Sequence, residues 1–204
     1  GESRRMGRDK ALLPHPAGGC WLEQSLRRLA ALDLPVVVFS RHSAHLQLTR
    51  QLAQDLNREQ SGTLAMPATA SLVALAEPPP WEGPLLALQR LMEHFPEQRL
   101  LLCPVDMPAL TTKVLGQLLA AAAREASVIH LAQGAQRLQP LLGVYPSDAG
   151  HRNRLATAIS SGERRLQSWL AGEDCRVVDL DAGALRNVNR PTPLTGRQGH
   201  LGNG

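Results

Sequence analysis

Short apolar runs alternate with amphipathic stretches along the first two thirds of the chain, and few folds are compatible with such an order. Unbroken apolar runs are typical of strands buried on both faces, and leucines at helical spacing mark the segments between them. The sequence therefore predicts an α/β fold of three layers, a mostly parallel sheet between helices. The predicted strands are Leu34–Phe39, Ser71–Ala76 and Arg99–Cys103, and the predicted helices are Trp21–Leu32, Ala44–Leu56, Leu85–His94 and a segment from Thr111 or Thr112 to about Ala126.

The last third of the chain predicts more strands and two further helices. A turn at Gly134 and Ala135 separates two apolar segments, which we expect to pair antiparallel. We expect one domain over residues 1–195 and a flexible Gly-rich tail over 196–204. The remaining predicted strands are Ser127–Ala132, Leu138–Tyr145 and Arg176–Leu180, and the helices are His151–Ile159 and Arg164–Leu170.

Composition narrows the class of protein. A net charge of +4 favours acidic ligands, while an aromatic content of 3% offers few stacking platforms for nucleic acid. The three cysteines are far apart, which is typical of a reducing compartment. No apolar run reaches the ~18 residues of a membrane helix. We expect a cytoplasmic protein, a monomer in the simplest case, with no nucleic-acid or membrane partner.

The first ten residues, Gly1 to Lys10, combine two glycines, three arginines and a lysine. Backbone N–H groups and positive charges brought together in this way suit a polyanion such as a nucleoside triphosphate. A solvated basic arm is the alternative interpretation of the same composition.

Asp106 follows the most apolar predicted strand and lies between Pro104 and Pro108. In a parallel sheet, ligands bind beyond the carboxyl ends of the strands, so this carboxylate is a candidate for the site. Mg²⁺ commonly takes one or two carboxylates together with waters and substrate phosphates. Helix capping is the alternative role, but Thr111 is better placed for it.

The proline-rich segment from Glu77 to Pro84 must be a stiff loop, because prolines fix φ and lack an N–H donor. Glu77 and Glu82 flank it, and either could face the same cleft or remain solvated. Gly83 is expected to cap the next helix with Pro84 as its first residue, and a helix start of this kind also attracts phosphate.

Two later motifs are ambiguous by themselves. Ser160 and Glu163 fit an S-x-x-E capping box, which leaves Arg164 and Arg165 in a first helical turn, where they oppose the helix dipole unless an anion binds there. Asn187 and Asn189 place two amides on one face of an extended segment, which suits a hydrogen-bonding heterocycle, although asparagine is also common in turns.

His42 and His45 lack a third metal ligand and are interpreted as surface residues.

In their order along the chain, these motifs resemble the molybdenum cofactor guanylyltransferases. The resemblance covers nearly the whole sequence. The matching segments are Gly1–Leu13, the Gly-Pro-Leu of Gly83–Leu85, the Pro-x-Asp-Met-Pro of Pro104–Pro108, the Gly-Glu-Arg-Arg of Gly162–Arg165 and the Asn-Val-Asn of Asn187–Asn189. The family's first strand and a Leu-Ala-Gly would precede Gly1, so we expect a Rossmann-like nucleotidyltransferase fold that lacks its first strand.

The resemblance implies transfer of GMP from MgGTP to molybdopterin, with release of pyrophosphate. Catalysis would come from positioning and charge neutralisation by Arg5, Lys10 and Asp106, the last as the Mg²⁺ ligand. Other molybdenum cofactor biosynthesis proteins would be possible partners. The implied nucleotide-binding residues are Gly1, Arg5, Lys10, Glu77, Gly83 and Asp106, and the implied molybdopterin-binding residues are Arg164, Arg165, Asn187 and Asn189.

Two alternatives stay open from the sequence. Phe39-Ser40-Arg41 replaces an asparagine that often contacts the nucleotide in this family, so CTP could be the nucleotide, or another phosphorylated compound the acceptor. A protein that binds nucleotide or molybdopterin without catalysis is the second alternative.

Overall fold

The computed structural model describes residues 9–61 and 71–187 of the chain. Within these residues strands and helices alternate as the sequence predicts, after a short 3-10 turn at Lys10–Leu12. The strands are β1 (Val36–Ser40), β2 (Leu72–Ala76), β3 (Arg99–Leu102), β4 (Ile129–Gly134), β5 (Arg137–Pro146) and β6 (Cys175–Asp179). The helices are α1 (Trp21–Ala30), α2 (Ser43–Ser61), α3 (Pro84–His94), α4 (Thr112–Arg124), α5 (Ala149–Ser160) and α6 (Leu166–Leu170).

The strands form a two-stranded and a four-stranded sheet. β1 and β2 are parallel and in register from Val36 opposite Leu72 to Ser40 opposite Ala76, so both end at the same edge. The larger sheet has the order β3-β5-β4-β6, in which β4 and β6 are parallel and β5 runs against both of its neighbours. The antiparallel pairing predicted for β4 and β5 is confirmed, and so is the mostly parallel α/β fold.

Helices cover both faces of the four-stranded sheet. Leu101 of β3 and Val144 of β5 pack against α4, whose Leu115 and Leu118 are fully buried. Leu100 and Leu102 of β3 point to the opposite face and pack in a cluster with residues of α3, α5 and α6. Because successive strand residues alternate between faces, the apolar run of β3 supplies both layers of the core.

A third apolar cluster joins the start of the chain to the smaller sheet. Ala11 of the 3-10 turn packs with Leu22 and Leu26 of α1 and with Val36 and Val38 of β1. Val105, which follows β3, packs against this cluster. The turn that carries Lys10 is therefore fixed next to the segment that carries Asp106.

Two predicted helix starts are confirmed. The side chain of Thr111 accepts a hydrogen bond from the N–H of Val114 and caps α4. Gly83 precedes Pro84, the first residue of α3, and has a φ of 100°, in the left-handed region that favours glycine. The first of these helices follows β3 in the chain and the second follows β2.

The predicted capping box at Ser160 and Glu163 is wrong. Ser160 is the last residue of α5, because helical hydrogen bonding continues until Gly162 turns the chain with a φ of 94°. α6 begins only at Leu166, so Arg164 and Arg165 precede the helix and do not oppose its dipole from within the first turn. The carboxylate of Glu163 instead accepts hydrogen bonds from the N–H groups of Arg164 and Arg165.

Candidate active site

Lys10 and Asp106, which are far apart in the sequence, lie together. The Nζ atom of Lys10 is 3.3 Å from Oδ2 of Asp106, and their side chains are 16% and 30% exposed. β3 ends at Leu102, since Pro104 has no N–H for a sheet hydrogen bond, and Asp106 lies in the turn that follows. A cation and a carboxylate at a strand end, partly open to solvent, can bind phosphates and a divalent metal.

Asp9 fixes the turn on which Lys10 lies. One of its carboxylate oxygens accepts a hydrogen bond from the N–H of Ala11, at 3.0 Å, and caps the 3-10 turn. The other is 2.6 Å from Nε2 of His45. The Nδ1 atom of His45 is 2.9 Å from Oγ of Ser40 at the end of β1. The interpretation of His45 as a surface residue is therefore wrong, whereas His42 is exposed as expected.

Arg90 of α3 holds the proline-rich loop in place. Its guanidinium donates hydrogen bonds to the carbonyls of Pro78 and Pro80, at 2.6 and 3.0 Å, and pairs with the carboxylate of Glu77 at 3.8 Å. Trp81 donates from its indole nitrogen to the carbonyl of Glu77. The Glu77 side chain is 15% exposed, and its carboxylate contacts Arg90 of the same protein. Its role in nucleotide binding stays a prediction.

We expect the Arg90→Met variant to speed backbone amide exchange in residues 77–83 by about 10-fold or more, because hydrogen bonds to a charged donor contribute about 1.5–3 kcal/mol each. Hydrogen exchange followed by mass spectrometry measures this directly. Arg58→Met, which removes an exposed arginine paired with Asp55, is the matched control and should leave the loop unchanged. Equal exchange rates in the parent and the Arg90 variant would show that the prolines alone hold the loop.

The structure brings the Gly-Pro-Leu and Gly-Glu-Arg-Arg motifs together. The guanidinium of Arg164 is 2.7 Å from the carboxylate of Glu82, and the two side chains are 45% and 43% exposed. The carbonyl of Arg164 is 3.9 Å from the position that a Cβ at Gly83 would occupy. Because an exposed ion pair of this kind contributes little stability, an anionic ligand could displace Glu82 from Arg164 at small cost. Arg165 is exposed.

Asn187 lies beside the turn between β4 and β5, just after Leu185, which packs in one apolar cluster with Met107. It lines a cavity of about 410 Å³ together with the basic side chains of Arg137 and Arg186 and the amide of Gln139. Its side-chain oxygen is buried and has no hydrogen-bond partner among the described residues. Gly1, Arg5 and Asn189 lie outside the described residues, as does the predicted tail, so their predicted roles stay predictions.

Cys103 and Arg28 lie behind Asp106. Burial raises the pKa of the Cys103 thiol to about 11, with Arg28 opposing the rise and Asp106 adding to it. Burial also lowers the pKa of Arg28, whose guanidinium donates to the carbonyl of Pro108. A thiol with a raised pKa stays protonated at neutral pH and is a poor nucleophile, so Cys103 does not supply a covalent step.

Alkylation of Cys103 by iodoacetamide should be slow at pH 8 and should accelerate about tenfold per pH unit up to a pH near 11, because only the thiolate reacts. Peptide mass spectrometry resolves this thiol from the other two, and the chain unfolded in urea gives the rate without burial. A Cys103 rate that levels off near pH 8 would contradict this protonation state.

The role of Asp106 as a metal ligand stays a prediction. Among residues 9–61 and 71–187, no three His, Cys, Asp or Glu side chains form a group that could hold a metal ion. Mg²⁺ can also be held by one carboxylate with waters and substrate phosphates as the other ligands, and the place of Asp106 after β3 is compatible with a site of that kind.

The sequence patterns missed His45, Asp9 and Arg90. A signal for His45 existed. Thr49, four residues after His45, and Leu52, three residues after Thr49, are both buried, so His45 lies on the face of α2 that packs on the sheet. Asp9 directly precedes Lys10, a predicted site residue, but nothing in the local sequence indicates that Asp9 caps a turn. No local pattern predicts Arg90, whose acceptors are loop carbonyls.

A three-layer α/β fold with a lysine, a carboxylate and a rigid loop at the strand ends is typical of the nucleotidyltransferases. The family model for the MobA-like NTP transferase domain matches residues 1–178, and the chain belongs to this family. It is 34% identical to a probable molybdenum cofactor guanylyltransferase of Rhodopirellula baltica over 95% of this chain and 86% of that protein. It is 33% identical to the protein of the same description in Mycobacterium tuberculosis, over 95% and 87% of the two chains.

Solved structures agree on the fold. Molybdopterin-guanine dinucleotide biosynthesis protein A of Archaeoglobus fulgidus superposes with a TM-score of 0.61 at 17% identity, over 94% of this chain and 89% of that one. The 2-C-methyl-D-erythritol 4-phosphate cytidylyltransferase of Thermus thermophilus gives 0.53 at 16% identity, over 89% and 88%. The chain is thus a nucleotidyltransferase of the MobA-like family.

Proposed function

We propose that this protein transfers GMP from GTP to the terminal phosphate of molybdopterin, which yields the guanine dinucleotide form of the molybdenum cofactor and pyrophosphate. The contact between Lys10 and Asp106 at the strand ends is the observation that carries the proposal. The similarity to relatives described as probable molybdenum cofactor guanylyltransferases supports the choice of substrates.

The reaction needs positioning more than covalent chemistry. A phosphate oxygen of the acceptor attacks the α-phosphorus of GTP, and the bond from that phosphorus to the bridging oxygen breaks, so pyrophosphate leaves with the electron pair. Lys10 would exchange its contact with Asp106 for the triphosphate oxygens and offset their developing charge. Asp106 would hold Mg²⁺, which when bound neutralises phosphate charge and orients the leaving group.

The pairing of Glu82 with Arg164 supports the position of the acceptor. It places a motif assigned to the nucleotide next to a motif assigned to molybdopterin, as transfer between two bound substrates requires. The cavity at Asn187, with an unpartnered amide oxygen and two arginines, offers hydrogen bonds and positive charge to a pterin phosphate. Arg5, Gly1 and Asn189 keep the roles that the family resemblance implies.

The site also fits use of CTP in place of GTP. Ser40 lies at the end of β1. The residue is 9% exposed and its hydroxyl contacts His45, so the hydroxyl is not free to distinguish guanine from cytosine. Incubation with molybdopterin, Mg²⁺ and each of the four nucleoside triphosphates, followed by the rate of pyrophosphate release, separates the two. The proposal expects release with GTP, and release with CTP alone would overturn it.

We place the reaction in the cytoplasm and expect a monomer that delivers its product to other molybdenum cofactor biosynthesis proteins. The described cysteines are all free thiols, which suits a reducing compartment. In the part of the chain that the structure describes, no helix has the length and apolar character of a membrane span.

A further inference from the structure

A chain of hydrogen bonds connects the end of β1 to the turn that carries Lys10. The N–H of His42 donates to Oγ of Ser40 at 3.1 Å, and this hydroxyl lies 2.9 Å from Nδ1 of His45. Nε2 of His45 lies 2.6 Å from Oδ2 of Asp9, whose Oδ1 accepts from the N–H of Ala11. Four contacts thus join the two segments, and the contact that connects them is between His45 and Asp9, 36 residues apart in the sequence.

With a neutral His45, the donors and acceptors in this chain fit one arrangement. The carboxylate of Asp9 can only accept, so Nε2 of a neutral His45 carries the proton, and Nδ1 accepts from the hydroxyl of Ser40. That hydroxyl still has a lone pair for the N–H of His42. Every polar group is satisfied, which fixes the ring in one orientation and one tautomer.

The surroundings of His45 hold the ring still. Its side chain is 12% exposed, and it lies in the first turn of α2, where the hydroxyl of the fully buried Thr49 donates to its carbonyl at 2.7 Å. The carbonyl of Ser40 also accepts from the N–H of Glu77, so the same point is tied to the end of β2. His45 therefore transmits a fixed position from the sheet edge to Asp9.

We propose that His45 is a positioning residue for nucleotidyl transfer, which acts through Asp9 to hold Lys10 at the phosphate-binding position beside Asp106. This proposal rests on the proposed function for its kinetic consequence, but the order it imposes on the turn does not depend on the substrate. Displacement of a binding group by about 1 Å can cost about 10²-fold in rate, so loss of the ring should be visible in kinetics.

Ser40, His45 and Asp9 do not form a hydrolytic triad, although the residue types agree. In such triads the serine faces Nε2 and the carboxylate faces Nδ1, whereas here the two nitrogens are reversed. Ser40 is 9% exposed, and its oxygen is occupied by the N–H of His42. The arrangement orients groups and does not activate a nucleophile.

Two variants and a matched control test the proposal. His45→Leu removes both ring contacts, while His45→Gln places an amide N–H near the position of Nε2 and can still donate to Asp9. His130→Leu removes another buried histidine, on β4, whose Nδ1 contacts the carbonyl of Val128 and, among the described residues, no site residue. Melting temperatures of all three variants show how much each loses in stability alone.

We expect His45→Leu to lower kcat/KM for the nucleotide that the parent uses by about 10- to 10²-fold, and His45→Gln to recover most of that loss. His130→Leu should lose stability without this kinetic effect. In the double variant with Lys10→Met, the His45→Leu loss should disappear, because a residue that acts through Lys10 has nothing left to position. Full additivity of the two losses would overturn the proposal.

Hydrogen exchange separates this proposal from the proposed function. In the parent, the amide of Ala11 is held by Asp9, and we expect His45→Leu but not His130→Leu to speed exchange in residues 9–13 by about 10-fold. A parent protein that turns over no nucleotide would refute the proposed function while this readout still reports on His45. Unchanged exchange in His45→Leu would refute the positioning role itself.

Discussion

The Asp106→Ala variant is expected to lower kcat/KM for nucleotidyl transfer by about 10²-fold or more, because it removes the carboxylate that follows β3 and contacts Lys10, the group that we propose as the metal ligand. Stability should change little, since the carboxylate is 30% exposed and its partner Lys10 can turn to solvent. The measurement is the rate of pyrophosphate release as a function of nucleotide and Mg²⁺ concentration. A higher Mg²⁺ requirement in Asp106→Asn would identify metal binding as the lost step.

Asp174→Ala is the matched control for this change. Asp174 is 70% exposed and pairs with Arg176. Neither residue is among the predicted site residues, so the loss of Asp174 should leave the kinetics unchanged. An Asp106→Ala variant with the activity of the parent would remove Asp106 from the mechanism.

Lys10→Met should raise KM for the nucleotide and lower kcat, with a combined loss of about 10²-fold, because the ammonium group meets charge that grows on the phosphates in the transition state. The methionine side chain keeps most of the packing volume of the lysine stem, so the effect reports on the charge. Isothermal titration with the nucleotide and steady-state kinetics give the two parts of the loss separately.

The sequence provides an unusually good control for Lys10, since Lys113 is the only other lysine in the chain. Lys113 lies exposed in the first turn of α4. Lys113→Met should therefore have the kinetics of the parent. Equal losses in the two variants would point to a general effect of net charge, and no loss in Lys10→Met would remove Lys10 from phosphate binding.

The fold and the centre of the site were predictable because their signals are local. The apolar run before Asp106 predicts a strand, which the structure has as β3 with its three leucines partly buried, and Pro104 and Pro108 show where it must end. Thr111 and Gly83 mark helix starts through hydrogen-bonding capacity and backbone freedom that belong to single residues. The place of Asp106 in the site follows from the rule that ligands bind beyond the carboxyl ends of the strands, whereas Lys10 was expected there because of the family resemblance.

The parts that could not be predicted depend on contacts between distant segments. His45 has its two partners 5 and 36 residues away, and only folding of α2 against β1 brings them to the ring. The predicted capping box was wrong for the opposite reason, since its local pattern at Ser160 and Glu163 is present. α5 extends through Ser160, and after the turn at Gly162 the next helix begins at Leu166. A local signal was outweighed by continued helical hydrogen bonding.

The central claim is that the site around Lys10 and Asp106 transfers a nucleotidyl group, and isotopic labelling of GTP tests it most directly. With the complete protein, molybdopterin and Mg²⁺, label in the α-phosphate should enter the molybdopterin product, and label in the γ-phosphate should leave as pyrophosphate. Both transfers should fall about 10²-fold or more in Asp106→Ala. Label from the γ-phosphate in the product, or no transfer of α-label at all, would contradict the claim.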